Sequence, residues 1–311
     1  MKFAFLFPGQ GSQSLGMMQD LGALDVVRET FSEASEILDQ DLWTLVNDGP
    51  AELLNQTANT QPLMLTAGIA AFRAWLAESD CMPDTMAGHS LGEYTALVAA
   101  GAIDFADALR LVRLRAEAMQ SAVADGAGAM AAILGLDDES VCAACAEAAQ
   151  DEILSAVNFN APGQVVIAGH KAAVERGMLA AKERGARRAL LLPVSVPSHC
   201  ALMRPAATRL AAALNAVDIR KPLVPVLHNA DVQTHREPEQ IREVLVRQLY
   251  SPVRWVETIV TMANSGIVLA AECGPGKVLA GLGKRIDERM ATSALVSRAA
   301  MEEFKFSIKR E

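Results

Sequence analysis

The chain has 311 residues, is 51% hydrophobic and carries a formal net charge of −9. Those figures suit one large core, with or without a smaller inserted domain, and exclude disordered and membrane-spanning classes, since no run nears the roughly 20 apolar residues of a span. The acidic balance argues against nucleic acid and anionic membranes as partners.

"FAFLF", at residues 3–7, reads as a buried first strand. A Pro-Gly turn follows it where a signal peptide would carry a small-residue cleavage site, so a cytoplasmic location is expected. Five scattered cysteines fit reduced thiols there. The glycine-rich "FPGQGSQ" lacks the Lys-Ser/Thr ending of a phosphate loop and the spacing of a dinucleotide fingerprint, so ATP and NAD are rejected. Such a loop can instead bring a backbone N–H, such as that of Gln10, to a developing oxyanion.

Next come a helix, "DVVRETFSEASEIL", and a second predicted to start at Pro62, with Asn59 and Thr60 as cap residues. Short strands alternating with helices predict a mostly parallel, helix-covered sheet. From about residue 126 to 196 the order becomes β-α-β-β-α-β, that of a ferredoxin-like insert. The body, residues 1–125, resumes over 197–300, and residues 301–311, "MEEFKFSIKRE", are expected to be a mobile tail. "CAAC" at 142–145 has the gap of a metal pair, but it sits in a helical stretch with no second ligand pair, and no metal is expected.

Within the body, Gly88-His89-Ser90-Leu91-Gly92 fits the Gly-x-Ser-x-Gly elbow, between "TMAG" and the helix-forming "LGEYTALVAAG". The glycines permit a turn that exposes the serine oxygen over a helix N-terminus, and the Leu91 N–H points toward an oxyanion formed there. A serine needs a base. His199, in "SVPSHCALM", and His228, after "LVPVL", could both stand above the sheet, and spacing gives His199 only a slight edge. On a helical wheel, Arg115 falls on the apolar arc of "DALRLVRLRAEAMQSAV". A buried guanidinium requires an anion. Either a protein carboxylate makes a structural salt bridge, or Arg115 clamps a substrate carboxylate.

These segments, with "NFNAPGQVVIAG", "QLYSPVRW" and "GPGKVL", resemble the malonyl-CoA:acyl carrier protein transacylases of bacterial type II fatty-acid synthesis, up to about residue 300. The resemblance implies an α/β-hydrolase-like large subdomain with a ferredoxin-like small one. It also implies Ser90 as nucleophile, His199 as base oriented by the Gln248 carbonyl rather than by an acid, and an oxyanion hole from Gln10 and Leu91. Arg115 would hold the malonyl carboxylate; Asn160, with Asn158, would line the cleft, and Gln61 would stand behind them. Ala116 departs from the Gly that many relatives carry. No cofactor is implied. The partners would be malonyl-CoA and holo acyl carrier protein, an acidic protein that would meet a local basic surface such as Arg187, Arg188, Lys284 and Arg285. The alternatives are an acyltransferase component of malonate decarboxylase, a serine thioesterase or esterase, and a non-catalytic scaffold.

Overall fold

A computed structural model describes residues 1–194 and 196–309. It has nine strands among the described residues: β1 (Phe3–Phe7), β2 (Thr85–Gly88), β3 (Gly128–Leu134), β4 (Leu154–Ala161), β5 (Gln164–His170), β6 (Arg188–Leu191), β7 (Val226–Leu227), β8 (Leu269–Glu272) and β9 (Ala291–Ala294). Five of them form a parallel sheet in the order β7-β2-β1-β8-β9. Every residue of β1 and β2 is buried, as expected for central parallel strands covered on both faces. The other four form an antiparallel sheet in the order β4-β5-β3-β6. Helices Asp138–Ala149 and Lys171–Glu183 pack on it around a separate apolar cluster that includes Ile133, Val141, Val165 and Val174. The architecture is a large α/β part joined to a small ferredoxin-like one. No helix among the described residues is long and apolar enough to cross a membrane.

Two expectations are corrected. The helix expected from Pro62 starts earlier, running Thr57–Glu78 with Pro62 inside it. A proline that close to the N-terminus forfeits only one bond of the helical ladder. Thr60 caps nothing; its hydroxyl donates back to the carbonyls of Leu54 and Gln56. The chain end is also no mobile tail, since Arg298–Lys309 is a helix that buries Met301, Phe304 and Ile308. Phe304 packs against Phe3, Phe5 and Trp75, with ring centroids 5.7 to 6.3 Å apart. Of the expected tail, only residues 310–311 lie outside the described residues.

The parallel sheet sets the site. The C-terminal ends of β1, β2 and β7 lead into Gln10, Ser90 and Asn229, at the edge where open α/β sheets present ligand-binding loops.

Candidate active site

Ser90 follows β2 with φ 51°, a left-handed conformation that non-glycine residues adopt only where the surroundings hold it. Glycine makes those surroundings possible. A Cβ on Gly88 would lie 1.9 Å from the Gly92 carbonyl, and one on Gly92 would lie 2.0 Å from the Phe7 carbonyl oxygen. Asn229 holds the turn from the far side: its Oδ1 accepts the Ser90 N–H at 2.7 Å and its Nδ2 donates to the Gly88 carbonyl at 2.7 Å.

The Ser90 hydroxyl lies 2.7 Å from His199 Nε2, and His199 Nδ1 lies 2.8 Å from the Gln248 carbonyl. A carbonyl can only accept, so the Nδ1 position carries the proton and Nε2 offers its lone pair to the hydroxyl. Burial first, and the Arg115 charge second, push the His199 imidazole down to about 3, so it is neutral at pH 7. His228 is buried with Nδ1 on Glu93 Oε1 at 2.7 Å and is not hydrogen-bonded to Ser90. Cys200 is buried too, and burial pushes its thiol up to about 11, which makes it a poor nucleophile.

Arg115 comes from the helix Phe105–Ser121 and is 1% exposed. It donates to Gln61 Oε1 at 2.7 Å, to Gln248 Oε1 at 3.0 Å and to Ser90 Oγ at 3.3 Å, with its guanidinium 5.4 Å from the centre of the Tyr94 ring. All three acceptors are neutral. Among the described residues no carboxylate pairs with it, so the structural salt bridge left open by the sequence is not formed. Burial lowers the guanidinium pKa, and Tyr94 and Glu93 oppose that shift.

These groups surround a cavity of about 120 Å³ lined also by Gln10, Leu91, Asn158, Met130 and Val194. At about 30 Å³ per water it holds a group of a few heavy atoms. Two clefts of about 600 and 610 Å³ contain neither Ser90 nor His199. A Cβ on Gly9 would collide with the His89 carbonyl, so the loop after β1 lies directly against the elbow. Gln10 and Leu91 thus line one cavity, and among the described residues neither backbone N–H is engaged elsewhere. Asn158 lines the cavity, and its Oδ1 is buried without a partner. Asn160 does not line it. Its Oδ1 instead lies 2.8 Å from Nε2 of His89, a residue that lines the cavity and whose ring packs against Trp255. Gln61 lines the cavity beside Arg115 rather than standing behind it, with Nε2 3.6 Å from Met119 Sδ.

Glu93 and Asn229 were missed by sequence reasoning. A signal existed for the first, since Glu93 is the single charge in the apolar stretch "LGEYTALVAAG" and is fully buried. Asn229, at a strand end, gave none.

The family model for the acyl transferase domain matches residues 4–301. The chain belongs to that family. This acyl transferase domain is 56% identical to the malonyl CoA-acyl carrier protein transacylase of Escherichia coli K12 over 301 residues, 96% of this chain and 97% of the relative. It is 45% identical to the Bacillus subtilis protein of the same name, over 97% of this chain and 95% of that one. An acyl carrier protein S-malonyltransferase from Vibrio cholerae superposes with a TM-score of 0.96 at 54% identity, covering 98% of this chain and 100% of that one. A malonyl-transacylase solved in complex with a type II PKS acyl-carrier protein superposes with the same TM-score and identity, over 97% of this chain and 98% of that one.

Proposed function

We propose that this chain transfers a malonyl group from malonyl-CoA to the phosphopantetheine thiol of acyl carrier protein through an ester on Ser90. The observation that carries the reading is Arg115: a buried cation, held only by neutral acceptors, 3.3 Å from the nucleophile. A buried charge left without its partner is disfavoured by about 3–5 kcal/mol, which a malonyl carboxylate offsets and an acetyl group does not. The names of the relatives agree with it.

In this mechanism His199 takes the Ser90 proton as Oγ attacks the thioester carbonyl. The N–H groups of Gln10 and Leu91 stabilise the oxyanion, and collapse expels CoA thiolate, which takes the proton back from His199. The carrier thiol then gives its proton to His199 and attacks the ester, and the Ser90 oxygen expelled on collapse takes that proton back from His199, leaving free Ser90 and malonyl-carrier. The Gln248 carbonyl holds the imidazole throughout.

The second sheet, spanning Gly128–Leu191, supports residues 126–196 as the insert and 1–125 with 197–300 as the catalytic body, to which the final helix belongs. Five unpaired cysteines support a cytoplasmic setting.

Intact-protein mass spectrometry after brief mixing with malonyl-CoA or acetyl-CoA tests the reading. The expected outcome is a malonyl adduct that is lost in Ser90→Ala, is far weaker with acetyl-CoA and is discharged by holo acyl carrier protein. An adduct that decays to free malonate equally fast without the carrier identifies a hydrolase.

A further inference from the structure

Glu93 lies on the helix Gly92–Ala99, is fully buried and does not line the cavity. A carboxylate in such a place is costly unless several donors face it. Here three do: His228 Nδ1 at 2.7 Å, the Asn229 N–H at 2.8 Å and Gln248 Nε2 at 3.0 Å. None of the three is the nucleophile or the base, so the mechanism above leaves the buried charge without a task.

The task emerges at Gln248. Its Nε2 sits between two groups that can only accept, Glu93 Oε2 and the Ser90 carbonyl, the latter at 2.9 Å. Turned over, the amide would set its oxygen against a carboxylate and a carbonyl. With the amino end fixed there, Oε1 has to face Arg115 Nη2, at 3.0 Å. The same residue's backbone carbonyl receives His199 Nδ1, and Asn229, anchored to Glu93 through its N–H, braces the elbow of Ser90.

We propose that Glu93 is a positioning residue whose carboxylate fixes which end of the Gln248 amide faces Arg115, and that this orientation sets the preference for a carboxylated acyl group. Replacing Glu93 by glutamine turns an NH₂ either toward His228 Nδ1 or toward the Asn229 and Gln248 N–H groups, so the carboxylate's hold on the Gln248 amide is weakened or lost. The amide is then held at its amino end by the Ser90 carbonyl alone, and the guanidinium loses the fixed alignment of its Gln248 acceptor. A general loosening of the core would slow acylation by every acyl-CoA alike, whereas misdirecting Arg115 penalises malonyl selectively. The inference rests on the assignment of Ser90 and Arg115 above.

The test measures Ser90 adduct formation from malonyl-CoA and acetyl-CoA in wild type, Glu93→Gln, Gln248→Ala and the double variant. The expected result is a malonyl-to-acetyl rate ratio reduced tenfold or more in each single variant, with no further fall in the double variant, because Glu93 acts through Gln248. Rates that fall together at an unchanged ratio overturn the proposal, as do losses in ratio that add in the double variant. Should Glu93→Gln not fold, Gln248→Ala decides alone, since a wild-type ratio there removes the link on which the proposal stands. If wild type forms no Ser90 adduct, the functional reading falls and this inference with it. If wild type forms the adduct and the ratio survives Glu93→Gln, only the inference falls.

Discussion

Arg115 and His199 bond the same Ser90 hydroxyl, so under the proposed mechanism substrate binding and base strength are electrically coupled. Like charges ~6 Å apart at an effective dielectric of about 20 repel by about 3 kcal/mol, a hundredfold in equilibrium. In the free site that repulsion opposes the imidazolium that must form as Ser90 is deprotonated. A malonyl carboxylate on Arg115 cancels it, so the correct substrate also strengthens the base. Arg115→Gln should therefore do two things. Acylation by malonyl-CoA should fall at least a hundredfold. The acid limb of the pH profile with acetyl-CoA should move to higher pH, because removing a cation raises the His199 pKa from its value of about 3. Rate profiles from pH 3 to 8 read both effects, and an unmoved acid limb would show that Arg115 does not govern the base. Of these two residues, Arg115 was legible from its wheel position alone, since a cation on an apolar arc needs a special partner. His199 was not, because choosing between it and His228 required knowing which of them a carboxylate had already claimed. That carboxylate is Glu93, which the local sequence pattern does not connect to a residue 135 positions away.

Among the elements, the helix Val278–Ile286 shows how a buried acid links stability to pH. Its N-terminal N–H groups point at Glu272, the last residue of β8, whose Oε2 accepts the Ala280 N–H at 2.9 Å. The other oxygen has no hydrogen-bond partner. Burial raises the carboxyl from 4.5 to about 7, against the pull of the helix N–H groups. A carboxyl whose folded pKa is raised favours folding fully below its unfolded value, and that contribution is lost as pH rises through about 7. Wild type should accordingly lose Tm relative to Glu272→Gln between pH 5 and pH 8, measured by thermal melts at both ends; a constant difference would mean that Glu272 ionises without cost. At the C-terminus, Met301, Phe304 and Ile308 fall on one face of a helix, a period present in "MEEFKFSIKRE" but hidden by its charges. The aromatic pocket of Phe3, Phe5 and Trp75 makes that face worth burying, and tertiary context of this kind lies outside any local window.

For the whole molecule, a net charge of −9 opposes encounter with an acidic carrier unless the cations are concentrated where the two proteins meet. Arg187, Arg188, Lys284 and Arg285 are exposed, and among the described residues none has a carboxylate partner. Through Arg187 and Arg285 the fold brings the two distant stretches to one turn. Arg187 covers Gly135, whose N–H bonds the Gly163 carbonyl at 2.8 Å, and Arg285 grips the same turn through Gln164 and the Pro162 carbonyl. The patch thus joins the small sheet to the catalytic body. A carrier docked at that seam would face both parts that wall the cavity, with Met130 and Asn158 on one side and Ser90 and Arg115 on the other. Reversing charge at Arg187 and Lys284, which leaves the grip of Arg285 intact, should slow discharge of malonyl-Ser90 onto the carrier by about tenfold at low salt. The defect should shrink as salt shortens the screening length from about 10 Å at 0.1 M to about 3 Å at 1 M. Acylation by malonyl-CoA should keep its wild-type rate. Equal loss in both half-reactions would instead assign the patch to the phosphates of CoA, and a salt-independent loss would mean that the substitutions act through the turn rather than through charge.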